Sequence, residues 1–250
     1  MDLYLAAFRA RCSQVRGPAE TVVDEPGVHG LLASEAGSRT RLLVTDDRGY
    51  ELLDRVLPNV RAGMISVLAG ARRCIELVGG RLAWDQDVVT AMVCRDLGRL
   101  PVLSLRDGLS VRRVRRLESD PPEGVPLEEA VAAVLRASPS IKLGPVDFAG
   151  HLRSMAPTVR LFAAVDAAGV VRATSGSGVF GAEATVVFVN TDSAWRRRGI
   201  ATAMTSIALR AAHDAGAQRA CLDASDAAVA MYRKIGFESL GATRRFVCLG

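Results

Sequence analysis

Apolar positions along this chain alternate between a helical period near 3.6 and short β-branched runs, which predicts interleaved helices and strands. Leu5, Phe8, Cys12 and Val15 share one helical face before Gly17-Pro18 breaks the pattern. His29-Gly30-Leu31-Leu32 starts a strand, and residues 41–45 form a stronger one, ended by Asp46-Asp47. Residues 50–57 read as a helix with Leu52, Leu53 and Val56 on one face and Pro58 as its stop. A short apolar run at 64–68, a helix over 71–78 ended by Gly79-Gly80, and a strand over 88–94 complete the first hundred residues. They form an α/β unit with no glycine-rich phosphate loop and no catalytic constellation.

Pro101 and the Asp107-Gly108 turn mark a boundary, so we expect one domain over 1–108 and a second over 109–250. Residues 109–116 mix valine with arginine as a partly exposed strand. Pro126, followed by Glu128 and Glu129, opens a helix to about Ala137, and Pro145 with Asp147 opens another to Met155. Residues 161–165, 170–174 and 185–189 then read as an antiparallel meander. Gly169 serves the first turn and residues 176–182 the second.

Two glycine turns follow. Gly176-Ser-Gly178-Val-Phe-Gly181 matches G-x-G-x-x-G, but it leads into a strand, and the dinucleotide fingerprint needs a helix there. We expect a hairpin with glycines at positive φ. Arg196-Arg197-Arg198-Gly199-Ile200-Ala201 instead follows a strand and opens a helix with Ile200, Met204 and Ile207 on one face, capped by Gly216. The open N–H groups of a helix start, its dipole and nearby guanidinium groups all favour a diphosphate.

Composition narrows the class. Hydrophobic residues make up 49% and charged residues 24% of the 250, as in globular proteins with a real core. No apolar run reaches membrane-spanning length and the N-terminus has no signal-peptide pattern, so a cytoplasmic location is expected. The five scattered cysteines form no C-x-x-C pair, and His29, His151 and His213 lie far apart, so no metal site is expected. The +5 charge suits an anionic ligand but is too weak to argue for nucleic acid.

At this point two separated motifs make the chain resemble the GNAT superfamily of N-acetyltransferases. One is Arg196, Gly199 and Ala201 after a central strand; the other is Ala228, Tyr232, Gly236 and Phe237 in a later helix. The resemblance covers about residues 109–250. It implies a GNAT fold of α/β (α+β) class, a mixed, mostly antiparallel central sheet flanked by helices. The first hundred residues resemble the degenerate half of tandem GNAT chains.

The resemblance further implies binding of acetyl-CoA in a gap between two central strands and transfer of its acyl group to an amine acceptor. Val189, Asn190 and Thr191 would pair with the pantetheine arm. Arg196, Arg197, Arg198, Gly199, Ile200, Ala201 and Thr202 would surround the pyrophosphate. Ser225 stands where many relatives carry an asparagine. Tyr232 would protonate the departing thiolate, which leaves well with a phenol's help. Glu183 has the parity of Thr185 and Val187 and is the candidate base, ahead of Asp192 and Asp223. The acceptor is unreadable, and a monomer or homodimer is expected. The rival expectations are a non-catalytic CoA-binding sensor, motivated by Ser225, and a nucleic-acid module, motivated by the arginines of 111–116.

Overall fold

The computed structural model describes residues 1–15, 19–34, 39–105, 108–138, 144–155 and 157–248. The breaks expected at Gly17-Pro18 and Asp107, and the side chain of Val15, lie outside the described residues. The chain divides into two compact units. The first takes Met1–Val93 together with Asp223–Arg233 and Phe237–Gly250; the second takes Cys94–Leu222 and Lys234–Gly236. The division therefore falls after Val93, not at 108, and the end of the chain returns to the first unit.

The first unit opens with α1 (Asp2–Val15) and the strands β1 (Glu20–Glu25), β2 (Val28–Ala33) and β3 (Thr40–Val44). It continues with α2 (Tyr50–Val56), β4 (Gly63–Leu68), α3 (Arg72–Arg81) and β5 (Asp85–Cys94). The last strand of the chain, β12 (Glu238–Cys248), lies antiparallel between β4 and β5. This pairing is why residues beyond 237 count with the first unit. The strand order is β1-β2-β3-β4-β12-β5. Leu42, Val44, Ile65, Val67 and Phe246 from the sheet pack with Leu53, Cys74 and Val78 from α2 and α3. The helix α3 runs through Gly79-Gly80, where the sequence reading stopped it. Gly79 faces Phe246 at ordinary contact distance, and packing of Val78 and Leu82 outweighs a glycine cost of about 1 kcal/mol each. The strand β1 escaped the sequence reading because only Glu20 and Val23 are buried along it.

The second unit holds β6 (Ser110–Arg115), β7 (Val125–Pro126), α4 (Leu127–Ala137) and α5 (Pro145–Ser154). The meander follows as β8 (Val159–Val165), β9 (Val171–Phe180) and β10 (Glu183–Thr191). Then α6 (Ile200–Asp214) crosses over to β11 (Arg219–Ala224), parallel to β10. The strand order is β11-β10-β9-β8-β6-β7. Gly216, at φ 101, ends α6, with its N–H on His213 O and that of Ala217 on Ala212 O. Ile200 and Met204 of α6 pack on Ala164 and Ala173.

The G-x-G-x-x-G segment is not a turn. Gly176 and Gly178 lie inside β9, and of the three glycines only Gly181 has positive φ, at 66. A Cβ on Gly176 would stand 2.4 Å from Leu161 Cδ2 and 2.8 Å from Arg160 O. These glycines let β8 and β9 lie close. Ser177 between them is buried and donates to Ala208 O of α6 at 2.7 Å.

The arginines of 111–116 do not form one solvated face. Arg116 is only 6% exposed. Its guanidinium donates to Leu152 O at 3.1 Å, Met155 O at 2.8 Å and Val159 O at 2.9 Å. Arg113 pairs with Asp120 at 2.5 Å, and Asp120 also accepts the N–H groups of Arg116 and Leu117. Arg116 thus ties the end of α5 to the start of β8. Replacing it by methionine removes these charge-assisted bonds together, and Arg116→Met should lower stability by roughly 2–4 kcal/mol in urea titrations.

Candidate functional site

The parallel strands β10 and β11 are paired only at Glu183↔Arg219, Ala184↔Ala220 and Thr185↔Cys221. Beyond Thr185, β10 runs on for six residues with no β11 partner among the described residues. The burial pattern follows: Glu183 to Thr185 are buried and Val186 to Thr191 are only half-buried. On its other edge β10 pairs with β9, but the register shifts between Val187 and Asn190, so Phe188 and Val189 fall outside the ladder. Phe188 sits at φ 51, a rare and costly conformation for an aromatic residue. Its carbonyl accepts the Thr174 hydroxyl at 2.9 Å, and its ring meets Phe148 of α5 edge-on with centroids 5.5 Å apart. The bulge is held from both sides. A bulge of this kind bends its strand, and the pairing with β11 has ended by this point.

The turn between β10 and α6 is built by polar bracing. Asp192 accepts from Ala194 N at 3.0 Å and so caps a single 3-10 turn, Ser193–Trp195. Arg172 reaches Asp166 at 2.7 Å and Asp192 at 3.4 Å, and it stacks over the Trp195 ring. Arg198 covers the same ring and donates to Ala194 O at 3.2 Å. Arg196 donates to Thr191 O at 3.1 Å and to Ala137 O at 3.0 Å, which links the turn to the end of α4. Asn190 accepts from the Ser138 hydroxyl. Two of the three arginines are therefore fastened down. Arg197 is exposed, lies at φ 65 and makes no hydrogen bond or ion pair among the described residues.

Gly199 sits at φ 77 at the start of α6, with no side-chain cap and open space where a Cβ would point. Ala203 N is the first to return to the helix, on Gly199 O at 3.0 Å. The N–H groups of Ile200, Ala201 and Thr202 precede that bond and need an outside acceptor. Ile200 is buried, while Ala201 and Thr202 are half-buried. The turn thus presents open amides, an uncommitted guanidinium and a positive helix end in one place, a good fit to a diphosphate.

The remaining candidates lie elsewhere. Glu183 is 5% exposed, and its Oε1 meets Arg219 Nη2 at 2.5 Å, at the closed end of the β10–β11 pairing. Ser225 is exposed, and its carbonyl accepts from Ala228 N and Val229 N at the start of α7 (Asp226–Ile235). Asp223, held by the Tyr4 hydroxyl at 2.6 Å, belongs like Ser225 and Tyr232 to the first unit. Tyr232 is 6% exposed, and burial alone pushes its phenol up to about 12. Its hydroxyl has no hydrogen-bond partner among the described residues. The Tyr-x-x-x-Gly-Phe spacing has a mechanical origin: Gly236 turns at φ 104, Phe237 N donates to Tyr232 O at 3.1 Å, and the two rings meet edge-on.

The family profile described as an acetyltransferase (GNAT) domain matches residues 152–247, from the end of α5 through β12. The chain carries a GNAT domain. Its fold is similar to that of a GCN5-related N-acetyltransferase from Kribbella flavida, with TM-score 0.62 and 18% identity over 99% of this chain and 96% of that one. It is also similar to a GCN5-related N-acetyltransferase from Sphaerobacter thermophilus, with TM-score 0.57, 15% identity and coverage of 98% and 91%. A tandem GNAT protein from the clavulanic acid biosynthesis pathway aligns with TM-score 0.58, 17% identity and coverage of 93% and 84%. No curated protein matches the chain by sequence.

The first unit contains a second parallel strand–helix–strand crossover, β3–α2–β4, in closed form. Its strands pair without interruption at five positions, from Thr40↔Gly63 to Val44↔Val67. Asp46 fills the turn: it accepts from Arg48 N at 3.0 Å and from the Arg48 guanidinium, which hold its carboxyl down to about 2. Asp47 accepts from Cys74 N at 3.1 Å. At Gly49, the residue before α2, a Cβ would stand 2.2 Å from Val28 Cγ2. The GNAT turn at Gly199 is open and basic, whereas this one is packed and acidic.

Phe188, Thr174 and Trp195 were not singled out from the sequence. A phenylalanine inside an apolar strand gives no sign of positive φ. The Arg-flanked Trp195 carried the only available hint, since guanidinium groups stack on indole. Among the described residues no group of three or more His, Cys, Asp or Glu side chains could hold a metal ion.

The raised Tyr232 pKa has a sign that can be checked. A tyrosine near 10 unfolded and about 12 folded contributes stability that is full below pH 10 and is lost as pH rises toward 12. Tyr232→Phe should therefore flatten the fall in urea midpoint between pH 10 and 12.

Proposed function

We propose that the protein is an acyltransferase that moves an acetyl group from acetyl-CoA to a primary amine, by direct attack within a ternary complex. The observation that carries this reading is the open start of α6 at Gly199, next to a β10 edge that has lost its strand partner. An unpaired strand edge takes extended amide groups by β-augmentation, which suits the pantetheine arm along Val189, Asn190 and Thr191. The amides of Ile200, Ala201 and Thr202, with Arg197, suit the pyrophosphate. The GNAT profile over 152–247 supports acyl transfer as the class of chemistry.

In the proposed reaction the amine nitrogen bonds to the thioester carbonyl carbon and the carbon–sulfur bond breaks. Tyr232 gives its phenolic proton to the thiolate; the proton shed by the attacking nitrogen passes to solvent, which returns one to Tyr232. A phenol pushed up to about 12 is fully protonated at neutral pH, as an acid must be. We do not give Glu183 the base role. Its Oε1 is engaged by Arg219, and it stands at the closed end of the strand pair, roughly 16 Å along the strand from Phe188. It braces β10 against β11. Glu183→Gln should accordingly lower stability by about 1–3 kcal/mol and leave the pH profile of kcat/KM where it was.

The first unit is read as the degenerate GNAT-like half, its crossover sealed by Asp46. Titration calorimetry should find one acetyl-CoA per chain, and Gly199→Val should abolish that binding. Tyr232→Phe should keep the binding and lower kcat about 100-fold in a thiol-release assay. Binding with no turnover on any amine would favour the CoA-sensor reading that Ser225 invites. No binding at all would end both readings.

A further inference from the structure

A pocket of about 340 Å³ lies in the second unit, between the last turn of α4, the start of β9 and the end of β10. Its apolar wall comes from Ala133, Ala137 and Ala173. The polar groups around it are not equally free. Arg172 is shared between Asp166 at 2.7 Å and Asp192 at 3.4 Å, and Asp192 also accepts from Ala194 N at 3.0 Å, so these groups are engaged with one another. The Thr174 hydroxyl is spent on Phe188 O at 2.9 Å. What remains are donors. Arg136, in the last turn of α4, has no ion pair or hydrogen bond among the described residues. The Asn190 amide has its oxygen turned to Ser138, which leaves its NH₂ group uncommitted. The Ser193 hydroxyl adds a third. A concave site with one unpaired cation and spare N–H and O–H groups suits an acidic group on a small molecule.

The pocket also has a fixed relation to the bulge. Thr174 both lines the pocket and holds the Phe188 carbonyl, so the two are neighbours. Asn190 lies two residues beyond Phe188, roughly 6–7 Å along the strand.

We propose that this pocket selects the acceptor: the amine belongs to a small molecule that carries an acidic group about 6–7 Å from its nitrogen, held by Arg136, Asn190 and Ser193. The proposal rests on the acetyltransferase reading above and names the substrate class of that same site. The amine would stand at the bulge, where the thioester is proposed to lie. The acidic tail would stand at the end of α4. The cation matters there, because a helix C-terminus alone repels an anion. An α-amino acid is too short to span the distance; a three- or four-carbon spacer fits.

The test uses the full chain with acetyl-CoA and matched amines: 4-aminobutyrate, its uncharged-tail counterpart butylamine, and 2-aminoethyl phosphate. The two acidic compounds separate a carboxylate from a phosphate as the favoured tail. At least one of them should exceed butylamine in kcat/KM by about tenfold, and Arg136→Gln should erase most of that advantage through KM. The acidic amine should also bind the protein saturated with CoA, with that binding weakened in Arg136→Gln. Arg136 is exposed, so the variant should keep the wild-type urea midpoint. Equal use of butylamine and both acidic amines, or an advantage untouched by Arg136→Gln, would overturn the proposal while leaving acyl transfer intact. Competition between 4-aminobutyrate and acetyl-CoA for one site would also overturn it, since the pocket would then belong to the nucleotide. Failure of acetyl-CoA to bind the wild type would instead remove the parent reading, and this assignment with it.

Discussion

The parting of two parallel strands governs the second unit. Hydrogen bonds along a sheet are cooperative, and a strand leaves its neighbour only when something makes continued pairing costlier than release. Here that is the extra residue between Val187 and Asn190, with Phe188 forced to positive φ. An unsupported bulge of this kind would relax. Thr174 takes its carbonyl and Phe148 takes its ring, so the strain is held by partners drawn from β9 and α5. The half-buried edge beyond Thr185 is the result, and it leads into the basic turn.

The same logic explains the arginines. Arg196 and Arg198 would serve an anion well, yet they spend their donors on carbonyls of the turn and of α4. They fix the path of the backbone, and the backbone presents the amides. Long-range charge is cheap to supply on a surface, whereas an ordered row of N–H groups is not. The chain puts its polar side chains into ordering the row.

Most helices and strands were legible because burial on one face leaves a period in the sequence. The meander, the crossover and both motif segments followed from that period and from Gly199, Gly216 and Gly236. Besides β1 and the strained Phe188, three further features were not legible, each for a physical reason. Gly176 and Gly178 look like turn residues but serve close approach of strands, which depends on the neighbour's side chains. Arg116 looks solvated but is buried, because three carbonyls from the α5–β8 connection satisfy it. Glu183 has the parity of a base, but its partner Arg219 lies 36 residues away in sequence and meets it only through strand register. Local pattern encodes which face is buried. It does not encode who stands opposite.

The placement of β12 has a consequence for how the molecule is made. Its neighbours β4 and β5 are synthesised before residue 95, while β12 follows the whole of the second unit's sheet. Until then two sheet edges in the first half stay exposed to water with their backbone groups unpaired. The first unit therefore cannot close its sheet ahead of the second, as the leading domain of a multidomain chain commonly does. A chain truncated before Glu238 would leave β4 and β5 without the strand that lies between them.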